Sequence, residues 1–102
     1  MKKLNNVEKK FLQRGLVQPT GWFILSRKDS LEFLGACKEE NIKILGIDGF
    51  FLLSDGIQPS MDNSVDFSSD YILKTDDIYT DAIEFLKNKD EKLFFEIVCS
   101  DK

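Results

Sequence analysis

The longest apolar stretch of the chain, residues 42–53 (IKILGIDGFFLL), constrains the fold more than any other feature. Branched and aromatic residues fill it almost without interruption, which is typical of a central β-strand covered on both faces. The turn at 54–56 (SDG) predicts a β-hairpin. Residues 57–58 should therefore pair antiparallel with this strand, until Pro59 ends the pairing because proline has no N–H to donate.

Asp48 is the one carboxylate inside this stretch, and a buried charge without a partner would be costly there. Two accounts of it are open. A bulge at Gly46–Gly49 could direct the side chain outward, because glycines inside a strand often mark bulges. Alternatively, the carboxylate stays inside and accepts hydrogen bonds from backbone N–H groups or from a lysine.

The rest of the chain reads as alternating helices and strands. Helices are predicted at 4–17, at 27–40 with Ser26 as N-cap, and from Thr75 as N-cap to the region of Lys89; strands are predicted at 21–25 and 93–99. Residues 60–74 show no regular pattern. The order α-β-α-β-β-α-β predicts one α+β domain over 1–102, with a mostly antiparallel sheet of about four strands packed with three helices.

Charge is divided unevenly along the chain. The first 45 residues hold nine basic and five acidic side chains, and the remainder holds five basic and thirteen acidic ones, which gives the net charge of −4. Between Gly46 and Leu86 nine acids accompany a single base, Lys74. An acidic surface attracts basic partners over a distance and repels nucleic acid. The sequence therefore predicts a basic protein partner and no nucleic-acid binding.

The residue types exclude most catalytic chemistry. The chain has no histidine, and its two cysteines cannot form a four-ligand zinc site alone. Glycine-rich phosphate loops and the nucleophile elbow are absent. Asp62, Asp66 and Asp70 are spaced by four but lack the glycine and terminal glutamate of a calcium loop. Only Asp48 and Glu96 lie inside apolar runs, so we predict neither an enzyme nor a cofactor or metal site.

Compartment is predicted from the cysteines and the N-terminus. Cys37 and Cys99 are far apart in sequence and lie in apolar surroundings, which favours buried thiols in a reducing compartment, with a disulfide as the alternative. The start MKKLNNVEKK has no apolar segment of the signal-peptide kind, and no apolar run is long enough to span a bilayer. We therefore expect a cytoplasmic protein without membrane contact.

Aromatic residues have two interpretations. Trp22 opens a strand and is expected in the core, with an interface role as the alternative. Phe67, Tyr71 and Tyr79 lie among the acids. Aromatic side chains ringed by charge are typical hot spots of protein interfaces. The competing interpretation is a small hydrophobic cluster beneath the loop.

Several short segments occur in an order that resembles a known family. They are Trp22, a helix carrying Leu31 and Leu34, then 44–50 (ILGIDGF), 57–60 (IQPS) and 64–67 (SVDF). This order is similar to small immunity proteins of bacterial polymorphic toxin and contact-dependent growth inhibition systems. The resemblance covers Trp22 to Phe67, with 82–86 as a further helix. Its pattern has an aromatic-rich segment after the proline, where this chain has Asp62-Asn63-Ser64.

The resemblance implies an inhibitor without catalytic activity that binds one toxin domain, often a nuclease, in the cytoplasm of the producing cell. An acidic surface containing aromatic residues would occupy the basic groove that a nuclease needs for its substrate. The residues expected to bind the toxin are Asp48, Asp55, Asp62, Asp66, Phe67, Asp70, Tyr71, Asp76 and Asp77. The alternative is a small homodimeric scaffold or adaptor module, in which the basic N-terminal helix docks on the acidic half of its mate.

Overall fold

The computed structural model describes residues 3–19, 21–68, 71–75 and 77–100. The predicted α+β class is confirmed: three helices pack on one five-stranded antiparallel sheet. The helices are α1 (Asn6–Phe11), which continues as a single 3₁₀ turn (Leu12–Arg14), α2 (Arg27–Glu39) and α3 (Ile78–Lys87). The strands are β1 (Leu16–Val17), β2 (Phe23–Ser26), β3 (Ile44–Leu53), β4 (Gly56–Asp66) and β5 (Phe94–Cys99), in the spatial order β1-β2-β5-β3-β4.

The two faces of the sheet differ in what covers them. One face packs against the helices, and its strand residues join the helical residues in a single buried cluster; they are Phe23, Leu25, Ile44, Ile47, Phe95, Ile97 and Cys99. Successive side chains of a strand point to opposite faces. The other face, here called the open face, therefore carries Ile24, Asp48, Phe50, Phe94, Glu96 and Val98. The prediction that β3 is covered on both faces does not hold along the whole strand, because Asp48 on the open face is exposed.

Helix starts follow local capping. Ser26 caps α2 as predicted, since its hydroxyl accepts a hydrogen bond from the N–H of Asp29 at 3.2 Å. α3 begins two residues later than predicted, because Asp77 rather than Thr75 is its N-cap. The Asp77 carboxylate accepts a hydrogen bond from the N–H of Thr80 at 2.7 Å.

The first helix is shorter than predicted. Periodicity suggested a helix over 4–17, but helical structure ends at Arg14 and β1 follows. Gly15 approaches β2 so closely that a Cβ there would lie 2.7 Å from the carbonyl oxygen of Ile24. This approach lets Leu16 pair with Ile24 across the sheet. The fifth strand of the sheet is thus one that the sequence did not predict.

The β3–β4 hairpin is confirmed, with Leu53 paired to Gly56 across the turn. The expectation that Pro59 ends the pairing is wrong, because β4 continues to Asp66. β4 is the edge strand of the sheet, where a proline can direct its missing N–H away from the neighbour. Beyond Phe50, β3 pairs with β4 but no longer with β5, so residues 51–58 form a two-stranded ribbon that extends past the sheet.

Both cysteines are buried free thiols, as predicted. Cys37 of α2 and Cys99 of β5 lie in contact in the core, although 62 positions separate them in sequence. A hydrogen bond with Cys99, together with burial, raises the pKa of the Cys37 thiol. The Cys37 thiol therefore remains protonated, and both cysteines act as small apolar core residues.

Candidate protein-binding face

Asp48 lies on the open face and is exposed to solvent. Its cross-strand neighbour on β5 is Glu96, so two acidic side chains stand directly opposite each other. Such like-charge pairs destabilise a sheet. Of the two accounts of Asp48 given by the sequence, the outward-facing one holds.

The strand irregularity beside Asp48 is larger than a one-residue bulge. Ile47 pairs with Val65 and Gly49 with Ser60, so four residues of β4, 61–64, stand opposite Asp48 alone. The Ser64 hydroxyl holds this excursion in place. It accepts a hydrogen bond from the N–H of Gly49 at 3.0 Å and donates one to the carbonyl of Ser60 at 2.7 Å.

Gly49 is required by this excursion. A Cβ at this position would lie 2.2 Å from the carbonyl oxygen of Asn63, which is far inside contact distance. Gly49, which the sequence linked to a bulge, therefore also marks a close backbone approach. Its partner in that approach is the β4 excursion, which the sequence did not reveal.

Asp66 completes an acidic group on the open face. A shallow groove beside β3 is lined by Asp48 and Asp66 together with Leu45, Met61 and Val98. Partial burial and the nearby charge of Asp66 raise the pKa of Asp48. The pKa of Asp66 is lowered instead, since its carboxylate accepts hydrogen bonds from the hydroxyl and the N–H of Ser68 at 2.5 and 2.8 Å. These hydrogen bonds keep Asp66 ionised, and its negative charge makes the ionisation of Asp48 less favourable.

An aromatic pair lies on the same face. The rings of Trp22 and Phe50 are stacked, with centroids 5.5 Å apart and planes 29° from parallel. Ile24 on this face is fully buried, and it lies outside the core cluster that packs against the helices. Trp22 itself stays half-buried, so it belongs to the surface layer of the open face and lies outside the helix-covered core.

Three basic side chains of the helical layer are paired with nearby acids. Arg14 contacts Asp29 and Glu32 at 3.4 and 2.8 Å. The other ion pairs of the described residues are Lys10–Glu40 at 3.6 Å and Lys38–Asp77 at 3.9 Å. Over the same described residues, no ion pair engages Asp48, Asp55, Asp62 or Asp66. Within the described part of the chain, the charges of Asp48 and Asp66 on the open face are therefore not offset by an ion pair.

The remaining residues predicted to bind a toxin are dispersed. Asp55 is at the hairpin turn, and Asp62 is exposed in the β4 excursion. Phe67 is only 8% exposed and packs in the core, which removes it from the surface available to a partner. Asp77 is engaged as the cap of α3. Asp70 and Asp76 lie outside the described residues.

Tyr71 and Tyr79 have structural roles. Tyr71 packs edge-on against Phe67, with centroids 4.6 Å apart, and its hydroxyl donates to Asp81 at 2.8 Å. The Tyr79 hydroxyl donates to the carbonyl of Ile42 at 2.8 Å. These contacts favour the interpretation of a hydrophobic cluster beneath the loop.

Asp81 has a structural role that the sequence did not reveal. It is 4% exposed and accepts hydrogen bonds from the Thr75 hydroxyl, the N–H of Lys74 and the Tyr71 hydroxyl, the last two at 2.8 Å. These donors, Thr75 first, lower the pKa of Asp81. This carboxylate secures the segment that precedes α3 and is not available to a partner.

Two residues of the open face were not predicted as part of a binding site. The sequence singled out Glu96 only as an acid within an apolar strand. The alternation of side chains along 94–99 puts Glu96 on the open face, and the strand register sets it opposite Asp48. Met61 is 86% exposed next to the acidic group. Nothing local in the sequence marks it, since its exposure follows from the β4 excursion.

Comparison with known proteins gives no further guide. No protein-family model matches this chain, and no curated protein is significantly similar to it. Among residues 3–19, 21–68, 71–75 and 77–100, no group of three or more potential ligands is arranged to hold a metal ion. Within the same ranges, no helix has the length and apolar character needed to cross a membrane.

Proposed function

We propose that this chain is an immunity protein that binds and neutralises a cognate bacterial toxin domain through the open face of its sheet. The single observation that carries the proposal is the acidic group of Asp48, Asp66 and Glu96 beside the Trp22–Phe50 stack. The toxin domain would be basic, and a nuclease fits best because its substrate groove must attract phosphates. The site of action would be the cytoplasm of the producing cell.

Charge supports this choice of face. Because Lys10, Arg14 and Lys38 are paired with acids, their own charges are largely cancelled at short range. Asp48 and Asp66 have no such cation among the described residues and project their charge to solvent. Complementary charge accelerates encounter with a basic partner and disfavours wrong partners.

Apolar contacts would supply most of the binding affinity. Single exposed charges contribute little to affinity, whereas aromatic anchors and desolvated groups dominate interfaces. The half-buried Trp22 and the exposed Met61 flank the acids. Leu52, about half exposed on the protruding ribbon, extends the same face. An arginine of the partner that reaches Asp48 would form a charge-assisted bidentate pair and relieve its repulsion by Asp66.

The alternative, a homodimeric scaffold, is less well supported. Its basic docking element would need free cations, but Lys10 and Arg14 already pair with acids of the same chain. β4 offers an exposed sheet edge, yet Pro59 and the excursion at 61–64 interrupt it, and such irregularities oppose edge-to-edge pairing. Sedimentation at low and high salt decides between the two: we expect a monomer at both, and a salt-sensitive dimer would favour the scaffold.

The function is tested by co-expression. If the reading frame upstream of this chain encodes a large secreted protein, its last domain is expressed alone in bacteria and then together with this chain. We expect growth arrest in the first case and rescue in the second. A harmless domain, a failure to rescue, or the absence of such a neighbour would count against an immunity role.

The face is tested by charge reversal. The double variant Asp48→Lys with Asp66→Lys should slow association with the toxin domain at least tenfold at low salt, because both changes reverse the local electric field. The matched control reverses two exposed acids of the helices, Glu39→Lys with Glu84→Lys, and should alter the rate less than threefold. Equal effects of the two double variants would place the interface elsewhere.

A further inference from the structure

The sheet splits between β2 and β5. Among the described residues these strands pair at only two positions, the last of which is Leu25–Phe95. The next hydrogen-bonded pair in the same register would be Phe23–Ile97, and the ladder does not reach it. Each of these two residues is still paired on its other side, Phe23 with β1 and Ile97 with β3. The split is therefore a gap inside the sheet.

The backbone groups of the missing pair face this gap. Hydrogen bonds alternate in direction along an antiparallel strand. The N–H of Gln18 donates to the carbonyl of Trp22 at 2.7 Å, so Trp22 faces β1 and the next residue, Phe23, faces the gap. On β5, the N–H of Ser100 donates to the residue just before β3 at 2.9 Å, and the same alternation turns the N–H and C=O of Ile97 toward the gap.

A cavity of about 400 Å³ lies at the gap, next to the N-terminal helix. Its walls are mainly apolar and include the side chains of Leu12, Trp22 and Phe33. The carboxylates of Glu8 and Glu96 also reach its wall, but both are already engaged by other groups. We therefore assign these carboxylates no part in ligand binding.

The polar character of the cavity comes instead from the strand backbone. Phe23 and Ile97 both line it and are only 8% and 6% exposed. Buried backbone N–H and C=O groups are nearly always paired in folded proteins. On the side of the gap, no strand of the described residues supplies that pairing. A ligand that offers both a donor and an acceptor would supply it.

We propose that the cavity binds a small neutral aromatic molecule that carries one amide group. The amide takes the place of the missing strand pair at Phe23 and Ile97, and the ring packs among the apolar walls. The volume falls within the range of small-molecule sites, which are mainly apolar with a few polar groups that fix orientation. A charged head group is excluded, because it would lose its hydration without gaining an opposite charge. This inference goes beyond toxin binding and does not depend on it.

Trp22 provides the readout. It is the only tryptophan of the chain and lines the cavity, so occupancy should change its fluorescence. The probe is 3-phenylpropanamide, and it is compared with its N,N-dimethyl derivative and with the anion 3-phenylpropanoate. We expect saturable binding of the amide and about fivefold weaker binding of the dimethyl derivative, which has lost its donors. The anion should bind at least tenfold more weakly than the amide.

Hydrogen exchange tests the backbone contacts in the unaltered chain. Without ligand, the amide of Ile97 should exchange faster than that of Phe95, which is paired with β2. Saturation with 3-phenylpropanamide should slow exchange at Phe23 and Ile97 and move their amide proton resonances. Equal protection of Ile97 and Phe95 in the free protein would remove the basis of the proposal.

A matched pair of variants locates the site. Leu12→Phe places a larger side chain in the cavity and should weaken 3-phenylpropanamide at least tenfold. Leu53→Phe makes the same change on the protruding ribbon, where Leu53 is 46% exposed, and should leave binding unaltered. The proposal is overturned if fluorescence shows no saturation, if the anion binds as tightly as the amide, or if the affected amides of the unaltered chain lie away from the gap between β2 and β5.

Discussion

Carboxylates on the two sides of the sheet differ in burial, in hydrogen bonding and in the direction of their pKa shifts. On the helix-covered side, Asp81 is buried and receives three hydrogen bonds that hold it ionised. On the open side, Asp48 is exposed, stands opposite Glu96 and has its pKa raised by partial burial and by Asp66. The comparison teaches that acids from the same acidic half of the sequence have different effects. The ionised Asp81 stabilises the fold, whereas ionisation of Asp48 is disfavoured by its surroundings.

The largest expected effect is on the free energy of unfolding, and it distinguishes the helix-covered core from the protruding ribbon. Phe95→Ala opens a cavity in the helix-covered core, where the ring is fully buried, and should lower the free energy of unfolding by about 3–5 kcal/mol. Phe51→Ala removes the same ring from the protruding ribbon, where Phe51 is 45% exposed, and should cost much less. Urea denaturation measures both. Similar losses would contradict a core confined to the helix-covered face.

The next effect concerns Asp81. Because its folded pKa is lowered, its ionised form stabilises the fold above the unfolded pKa of about 3.9, and this stability is lost as the pH falls through the folded pKa. Asp81→Asn should lower the thermal midpoint at pH 7 and reduce its dependence on pH below about 4. Asp55→Asn, at the exposed turn, is the control. Matching pH profiles for the two variants would show that Asp81 is not the acid-sensitive group.

A third effect tests the β4 excursion that exposes Asp48. Gly49→Ala forces a Cβ against the carbonyl of Asn63 and should cost about 1–3 kcal/mol. Gly35→Ala lies within α2 with no atom near the added Cβ, and should stabilise by about 0.5–1 kcal/mol. Chemical denaturation of both variants gives the signs. A stabilising Gly49→Ala would mean that the excursion is not fixed in place.

The smallest effect concerns Asp48 itself. Its raised folded pKa means that the fold disfavours the charge, so Asp48→Asn should stabilise the protein at pH 7, by no more than about 0.5 kcal/mol. The gain should vanish in acid, where the wild-type carboxylate is protonated. The same variant should bind a toxin partner more weakly. Destabilisation at pH 7 would indicate that Asp48 already has a stabilising partner.

The sequence predicted those parts of the fold that local chemistry decides. The cap of α2 at Ser26, the hairpin turn at 54–56 and the last strand each depend on neighbours in the chain, and each is found. β1 was missed because its two residues become a strand only by pairing with β2. The length of β4 was missed because the role of Pro59 depends on its position at the sheet edge, which is a property of the whole topology.

The candidate site was predictable in part. Charge bias and the apolar surroundings of Asp48 singled out β3, and the outward direction of Asp48 was one of two open accounts. That these acids lie together follows only from the cross-strand register. The register sets Glu96 opposite Asp48 and brings Asp66 alongside. Phe67 was expected at an interface because it lies among acids in the sequence. Its burial depends instead on contacts with Tyr71 and the rest of the core.

The ribbon at 51–58 has a consequence for motion. Its strands are held by each other alone, whereas Phe94 and Phe95 of β5 are paired on both sides, with β2 and with β3. Backbone amides of the ribbon should therefore exchange with deuterium through brief local opening, and those of Phe94 and Phe95 only when the whole domain unfolds. The tip of the hairpin could thus adjust its shape while the remainder of the molecule stays rigid.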